Sequence, residues 1–370
     1  MNSKVDTSPP LAGLPNRIVI VSDKNFAGVC TKYERAFNTI PGVDCVYVSA
    51  RAPDAEARAR QAISGMAHDK ILILYYDPGD VQGHTHQFTE RVNMPSDISW
   101  GLIRGSSFYR VENLQTITKP GITNVKKHGK YRKIVTNKNN KGPVKKALTV
   151  NHERMHAMNE FFDSKTPVIL CGTEDLLGIN RHSCYLGQPQ EFLPYIPNKS
   201  PSTVVHITTP ARGRDYKKGT GIIKNVFHLL SDNYPDLGLS IVGHPAIPHD
   251  ECMNILARTG MSVLTMTSWD YGLGYVGLES LSRSCLCLGR LSKYSSFIRS
   301  PVVNTPTQAE LIRQIKRYYR SPDLFEQARY KQYMWAFKHF NPEAVGRRLE
   351  NILDTIINDG WRSETRQKLP

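Results

Sequence analysis

Arg212 and Lys218 stand six positions apart, and Lys218 is followed by Gly219-Thr220 at the head of a run with helical spacing. Two cations so placed, the second against a helix N-terminus, can grip phosphate oxygens. The helix dipole and the open N–H groups of the first turn add to the side-chain charge. Further along comes Tyr271-Gly272-Leu273-Gly274-Tyr275-Val276-Gly277-Leu278-Glu279. Glycines let backbone N–H groups approach an anion, and a lone carboxylate can accept hydrogen bonds from a ribose diol. These residue types together fit a nucleoside diphosphate. Each also has a plainer explanation. Arg212 and Lys218 could be solvated loop charge, with Arg214 and Lys217 as weaker stand-ins. Glu279 could be a helix-start carboxylate favoured by the dipole. Gly272, Gly274 and Gly277 could serve helix–sheet packing.

The surrounding pattern predicts the elements that position these residues. Residues 204–207 read as a short apolar strand. Ile222, Ile223, Val226, Phe227 and Leu230 then recur at helical spacing, which puts Lys218 and Gly219 at the helix start. Residues 239–243 read as a buried strand and 261–266 as another. The glycines open a helix that carries Leu278 and Leu281 and runs on through 285–288. Earlier, 17–21, 44–48 and 70–76 read as strands, with helices ending near 38 and spanning 55–66 between them. A further helix is expected over 154–162, a strand over 167–171, and a last helix with Val345, Leu349, Ile352, Leu353 and Ile356 on one face. Strand–helix alternation implies parallel sheets, which gather ligands at the carboxyl ends of their strands. Asp23, Asn25 and Gly28 line the first such turn. His206, ending a core strand, could be structural or functional. His249-Asp250-Glu251 reads most simply as a helix start, and His84-Thr85-His86 as a surface loop or a general-base or metal pair.

At this point the chain resembles the donor half of the retaining GT-B glycosyltransferases of family four. Arg212 and Lys218-Gly219 match that family's Arg and Lys-Gly in type and spacing. Glu279 matches the second Glu of its Glu-x7-Glu motif and Gly274 the central glycine, while Tyr271 stands in place of the first Glu. Gly105-Ser106 and Arg110 look like the family's Gly-Ser…Arg stretch, with Arg104 where a His is usual. Leu193 to Asn198 resembles its linker, Thr307-Gln308-Ala309-Glu310 its late helix, and Phe340-Asn341-Pro342-Glu343 the entry to its final helix. The resemblance is good over 200–357 and weak over 15–200. It implies an α/β GT-B fold: two Rossmann-like domains facing a cleft, with the C-terminal helix crossing back to the first. The expected divisions are a disordered tail (1–14), an acceptor domain (15–199), a nucleotide-sugar domain (200–339) and the returning helix (340–370). It further implies sugar transfer with retention from a UDP- or GDP-sugar co-substrate. Arg212 and Lys218 would be catalytic. Tyr271, Gly272, Gly274, Tyr275, Gly277 and Glu279 would complete the donor site with Gly219. Asp23, Asn25, Gly28, His84, His86 and Arg104 are the acceptor or cleft candidates. No tightly bound cofactor and no metal is expected.

Composition bounds the partners. The 370-residue chain carries a net charge of +15, unevenly spread. Residues 113–152 contain no acid and ten bases, among them Lys126, Lys127, Lys130, Arg132 and Lys133. The apolar residues there show no sustained helical period, so a basic loop or hairpin fits better than an amphipathic membrane helix. Such a segment suits a phosphate backbone, an anionic membrane surface, or nothing beyond solvent. The leading expectation is a DNA acceptor, namely a hydroxymethylated base in phage-type modified DNA. A lipid-linked or cell-envelope glycan is the alternative, and a non-catalytic nucleic-acid-binding protein with a degenerate transferase fold is another. Seven scattered cysteines, an odd number, suit a reducing compartment rather than a disulfide framework. With no signal-peptide pattern and no long apolar run, a cytoplasmic location is expected, the host cytoplasm if the source is viral.

Overall fold

A computed structural model describes residues 13–22, 28–77, 97–104, 169–173, 183–208, 218–243, 247–266, 273–291 and 298–359. The chain divides into two units, Met1–Pro189 with Pro342–Pro370, and Gln190–Asn341.

The first unit opens with β1 (Arg17–Ser22), α1 (Val29–Phe37), β2 (Asp44–Ser49), α2 (Ala55–Ile63) and β3 (Ile71–Asp77). Then follow β4 (Ser99–Arg104), β5 (Ile169–Cys171) and β6 (Ser183–Tyr185). The sheet order is β2-β1-β3-β4-β5-β6, every neighbour parallel. Val19 of β1, next to the edge strand β2, lies level with Val46 and Ile73. A parallel sheet covered on both faces needs near-continuous apolar strands, and β1 is buried at every position after Arg17. The edge strand β2 is only partly buried. α2 stops short of residue 66 because Ser64 is already extended and Gly65 has a φ of 74°. The sequence pattern does not predict β6, which is only three residues long.

The second unit contains β7 (Thr203–Ile207), α3 (Thr220–Ser231), β8 (Gly238–Val242), α4 (His249–Arg258), β9 (Met261–Val263) and α5 (Gly274–Ser282). β10 (Leu286–Gly289), β11 (Val303–Asn304), α6 (Gln308–Arg320) and α7 (Pro322–Phe340) complete it. The order is β11-β10-β9-β7-β8, again all parallel. Ile223, Val226, Phe227 and Leu230 of α3 join Val204, Met261, Val263, Leu286 and Leu288 in the core. Thr307 caps α6 by accepting from the Glu310 N–H at 3.2 Å, the T-x-x-E capping pattern.

Three expectations are corrected here. Residues 286–289 form the inner strand β10, not a continuation of α5. Ser284 turns the chain with a φ of 59°, and Leu286, Cys287 and Leu288 are wholly buried. A run that short and apolar carries no period to separate strand from helix. β8 is not buried, because it is the sheet's edge, and its residues alternate between exposed and half-buried. Ile222 faces outward at 39% exposure.

Segment 193–199 belongs structurally to the second unit. The wholly buried Arg329 guanidinium donates to Ile196 O at 2.8 Å and to Ser284 O at 2.7 Å, and pairs with Glu326. The Tyr333 hydroxyl donates to Leu193 O at 2.8 Å, and Lys199 Nζ donates to the carbonyls of Leu256, Thr259 and Arg283. The chain returns to the first unit as α8 (Pro342–Asp359). Val345, Leu349, Ile352 and Leu353 form its buried face. Gly346 allows the helix to lie directly against α1, since a Cβ there would fall 2.5 Å from Ala36 O.

Candidate functional site

In the second unit the strand order reverses between β7 and β9. Two chains leave the sheet in opposite directions there, and the carboxyl ends of the two strands frame the place where α/β sheets take ligands. Lys218 and Gly219 follow β7, and Gly274 and Glu279 follow β9. A hydrogen bond from Met266 N to Lys218 O, 3.0 Å, ties the two turns together. Each turn ends on a left-handed glycine, Gly219 at φ 69° and Gly274 at φ 61°. A Cβ on Gly274 would meet nothing within 4 Å, so glycine is required there by backbone conformation and not by crowding. Gly219 is the N-cap of α3 and offers no capping side chain, so charge at that end must come from elsewhere. Gly277 is different. Its Cβ would lie 3.3 Å from Leu273 and 3.4 Å from Leu264, so it serves the close packing of α5 on the sheet. Ser280 adds to that packing by donating to Ser262 Oγ at 2.8 Å. Tyr275 is half-buried in the first turn of α5.

A buried relay joins the end of β7 to the start of α3. His206, fully enclosed, sits 2.8 Å through Nδ1 from Val263 O and 3.0 Å through Nε2 from Thr220 Oγ1. A carbonyl can only accept, so Nδ1 carries a proton and donates to Val263 O, while Nε2 is hydrogen-bonded to the Thr220 hydroxyl. Thr220 in turn lies 2.8 Å from Thr208 Oγ1, the residue just past β7. The relay joins His206 and Thr208 to Thr220, on either side of 209–217 in the sequence. Thr220→Val keeps the shape and removes the hydroxyl bonded to His206 Nε2 and to Thr208. It should destabilise the second unit by about 1–3 kcal/mol in urea unfolding, with Thr220→Ser near wild type.

Glu279 lies in the second turn of α5, its side chain 5% exposed, beyond the reach of a simple helix-start effect. A buried carboxylate needs a compensating partner. His249, the first residue of α4, supplies one: its Nε2 lies 2.8 Å from Glu279 Oε1. Burial, and then the Glu279 carboxylate, push the thiol of Cys252, one turn further along α4, up to about 11. Nearby, the Arg283 guanidinium donates to Glu191 O at 3.0 Å, and burial lowers its pKa. The sequence pattern makes His249 a helix start and no more. The available signal is positional: it opens the helix after β8 as Lys218 and Gly274 open those after β7 and β9.

In the first unit, Gly28 is the N-cap of α1 with φ 68°, and Arg104 ends β4 wholly buried. Its carbonyl accepts from Gly172 N at 2.8 Å. Arg212, Tyr271, Gly272, Asp23, Asn25, His84, His86, Lys126, Lys127, Lys130, Arg132 and Lys133 lie outside the described residues, as does the helix expected over 154–162. Among the described residues no cluster of three His, Cys, Asp or Glu side chains is arranged to hold a metal. No described helix is long and apolar enough to cross a membrane.

Comparison with solved structures settles the architecture. The chain superposes on Anabaena Alr3699/HepE, solved in complex with UDP, with a TM-score of 0.53 at 8% identity, covering 92% of this chain and 100% of that one. A glycosyltransferase from Rickettsia africae gives 0.53 at 9% identity, over 93% and 99%. Trehalose-6-phosphate synthase, studied for glycosyl transfer with retention, gives 0.52 at 10%, over 92% and 99%. The fold is GT-B. No protein-family description matches the sequence, and no curated protein does. At these identities the GT-B likeness speaks for the path of the chain and not for its chemistry. The chemistry rests on the residues gathered at the ends of β7, β8 and β9.

Proposed function

We propose that this GT-B chain is a glycosyltransferase that moves a sugar from a nucleoside-diphosphate sugar to an acceptor hydroxyl. One observation carries the reading. Lys218 at the uncapped start of α3 and the enclosed carboxylate of Glu279 behind Gly274 flank the reversal point of one sheet. The spacing between a diphosphate and its ribose suits cations on one turn and a carboxylate on the next. The UDP complex of a protein with the same fold supports UDP as the first nucleotide to test, with GDP beside it.

In this reading the bond between the anomeric carbon and the diphosphate oxygen breaks, and the acceptor oxygen forms the new bond. Arg212, Lys218 and the α3 dipole stabilise the charge that grows on the leaving diphosphate, which is electrostatic catalysis. The acceptor proton passes to a leaving phosphate oxygen, and the anomeric configuration is retained. Glu279 holds the ribose diol. Tyr271, in the place of a first Glu, would meet the sugar.

We assign the acceptor to DNA carrying a hydroxylated base. The support is the sequence charge: ten bases and no acid across 113–152. Access to a base in a duplex would require it to be flipped out. Tyr271 favours a second reading, a non-catalytic nucleic-acid-binding protein that has kept the fold. Nucleotide-dependent stability separates the two. UDP or GDP at a hundredfold excess over its Kd should stabilise the chain by about 2.7 kcal/mol, seen as a rise in Tm. A Tm that neither nucleotide moves at millimolar concentration removes the transferase reading.

A further inference from the structure

The Glu279 carboxylate does not stand alone at the nucleotide end of the site. It is 5% exposed, while the imidazole bonded to it is 43% exposed and reaches in from a different helix. α4 follows the edge strand β8, and α5 follows β9, on the other side of β7. The bond between Nε2 and Oε1 therefore spans two βα turns and orients the carboxylate from outside its own helix. With Glu279 ionised, Nε2–H donates and fixes one carboxylate oxygen. A carboxylate has about four acceptor positions, so the bond to His249 does not by itself exhaust it. His249 Nδ1 faces the Asp250 carboxylate at 4.0 Å.

We propose that His249 is a positioning residue for Glu279, and that the pair selects ribonucleoside over 2′-deoxyribonucleoside diphosphates. This rests on the donor-site reading above. Two hydroxyls can each donate to a carboxylate that is held still. Removal of the 2′-hydroxyl loses one of those charge-assisted bonds, and a carboxylate free to rotate recovers less from the other.

The test is calorimetric titration of the full chain with UDP, GDP, their 2′-deoxy counterparts and pyrophosphate. Wild type should prefer UDP to 2′-deoxy-UDP by about tenfold or more, the worth of a hydrogen bond to a charged group. In His249→Ala that preference should collapse toward unity through weaker UDP binding, with pyrophosphate affinity unchanged. His249→Gln, which can still donate to Oε1, should recover part of the preference. Glu279→Gln should lose the preference as well, and the double variant should lose no more than either single one. A His249→Ala protein that keeps the full preference overturns the inference while leaving the donor site standing. So does one in which pyrophosphate binding falls in parallel, since that marks a general loss of structure. Wild type that binds neither UDP nor GDP overturns the donor-site reading itself, and this inference with it.

Discussion

Lys218→Ala and Arg212→Ala should each lower turnover by roughly a hundredfold or more, with the smaller part of the effect in donor binding. Each side chain is assigned to charge that appears as the sugar–phosphate bond breaks. Removing it therefore costs more in the transition state than in the ground state. The fold should not account for the loss. The main chain of Lys218 is anchored by the bond from Met266 N to its carbonyl, and Thr208, Thr220 and His206 are bonded to one another. Neither of these bonds involves the Lys218 side chain, so both are expected to persist when it is cut back to alanine. The measurement is kcat with a UDP- or GDP-sugar and the acceptor found to be active, with the unfolding transition as control. Wild-type turnover in both variants would remove these residues from the chemistry. A Lys218→Arg protein should recover only part of the rate, because a planar fork and a point charge meet phosphate differently.

The parallel α/β character of both units is legible because its physics is written in residue order. Arg17-Ile-Val-Ile-Val and Thr203-Val-Val-His-Ile are continuous apolar runs that only a doubly covered sheet requires. Gly219 can be placed at the start of α3 from sequence because glycine and a following helical period make a joint signal. Sequence alone fails where burial depends on neighbours distant in the chain. β8 reads Gly-Leu-Ser-Ile-Val, which could be an inner strand; its edge position is set by where β7 and β9 pair, not by its own residues. Cys-Leu-Cys-Leu in 285–288 reads as part of the preceding helix because a left-handed Ser284 has no residue-type signature. The His249–Glu279 pair joins positions thirty residues apart, and no local pattern connects them. Glu279, by contrast, stands out from its glycine context, and its enclosure in the second turn of α5 removes the helix-start explanation.

The largest change in affinity should come from the basic segment. Lys126, Lys127, Lys130, Arg132 and Lys133 changed together to Gln should weaken DNA binding alike for all sequences, because phosphate-directed bonds carry no base information. Each neutralised phosphate releases counterions, so the plot of log affinity against log salt should flatten by roughly one unit for every phosphate that is no longer neutralised. Removing these charges together would weaken binding by several orders of magnitude at low salt and by much less at high salt. Donor hydrolysis without acceptor should be unchanged, since Lys218 and Glu279 belong to the second unit. Other partners leave other signatures. If the segment meets an anionic membrane, the same variant loses binding to phosphatidylserine vesicles while any DNA affinity keeps its salt slope. If the segment only carries solvated charge, neither binding changes. The DNA outcome is the one expected, because 113–152 combines an unbroken excess of bases with no apolar face on which an interfacial helix could be built.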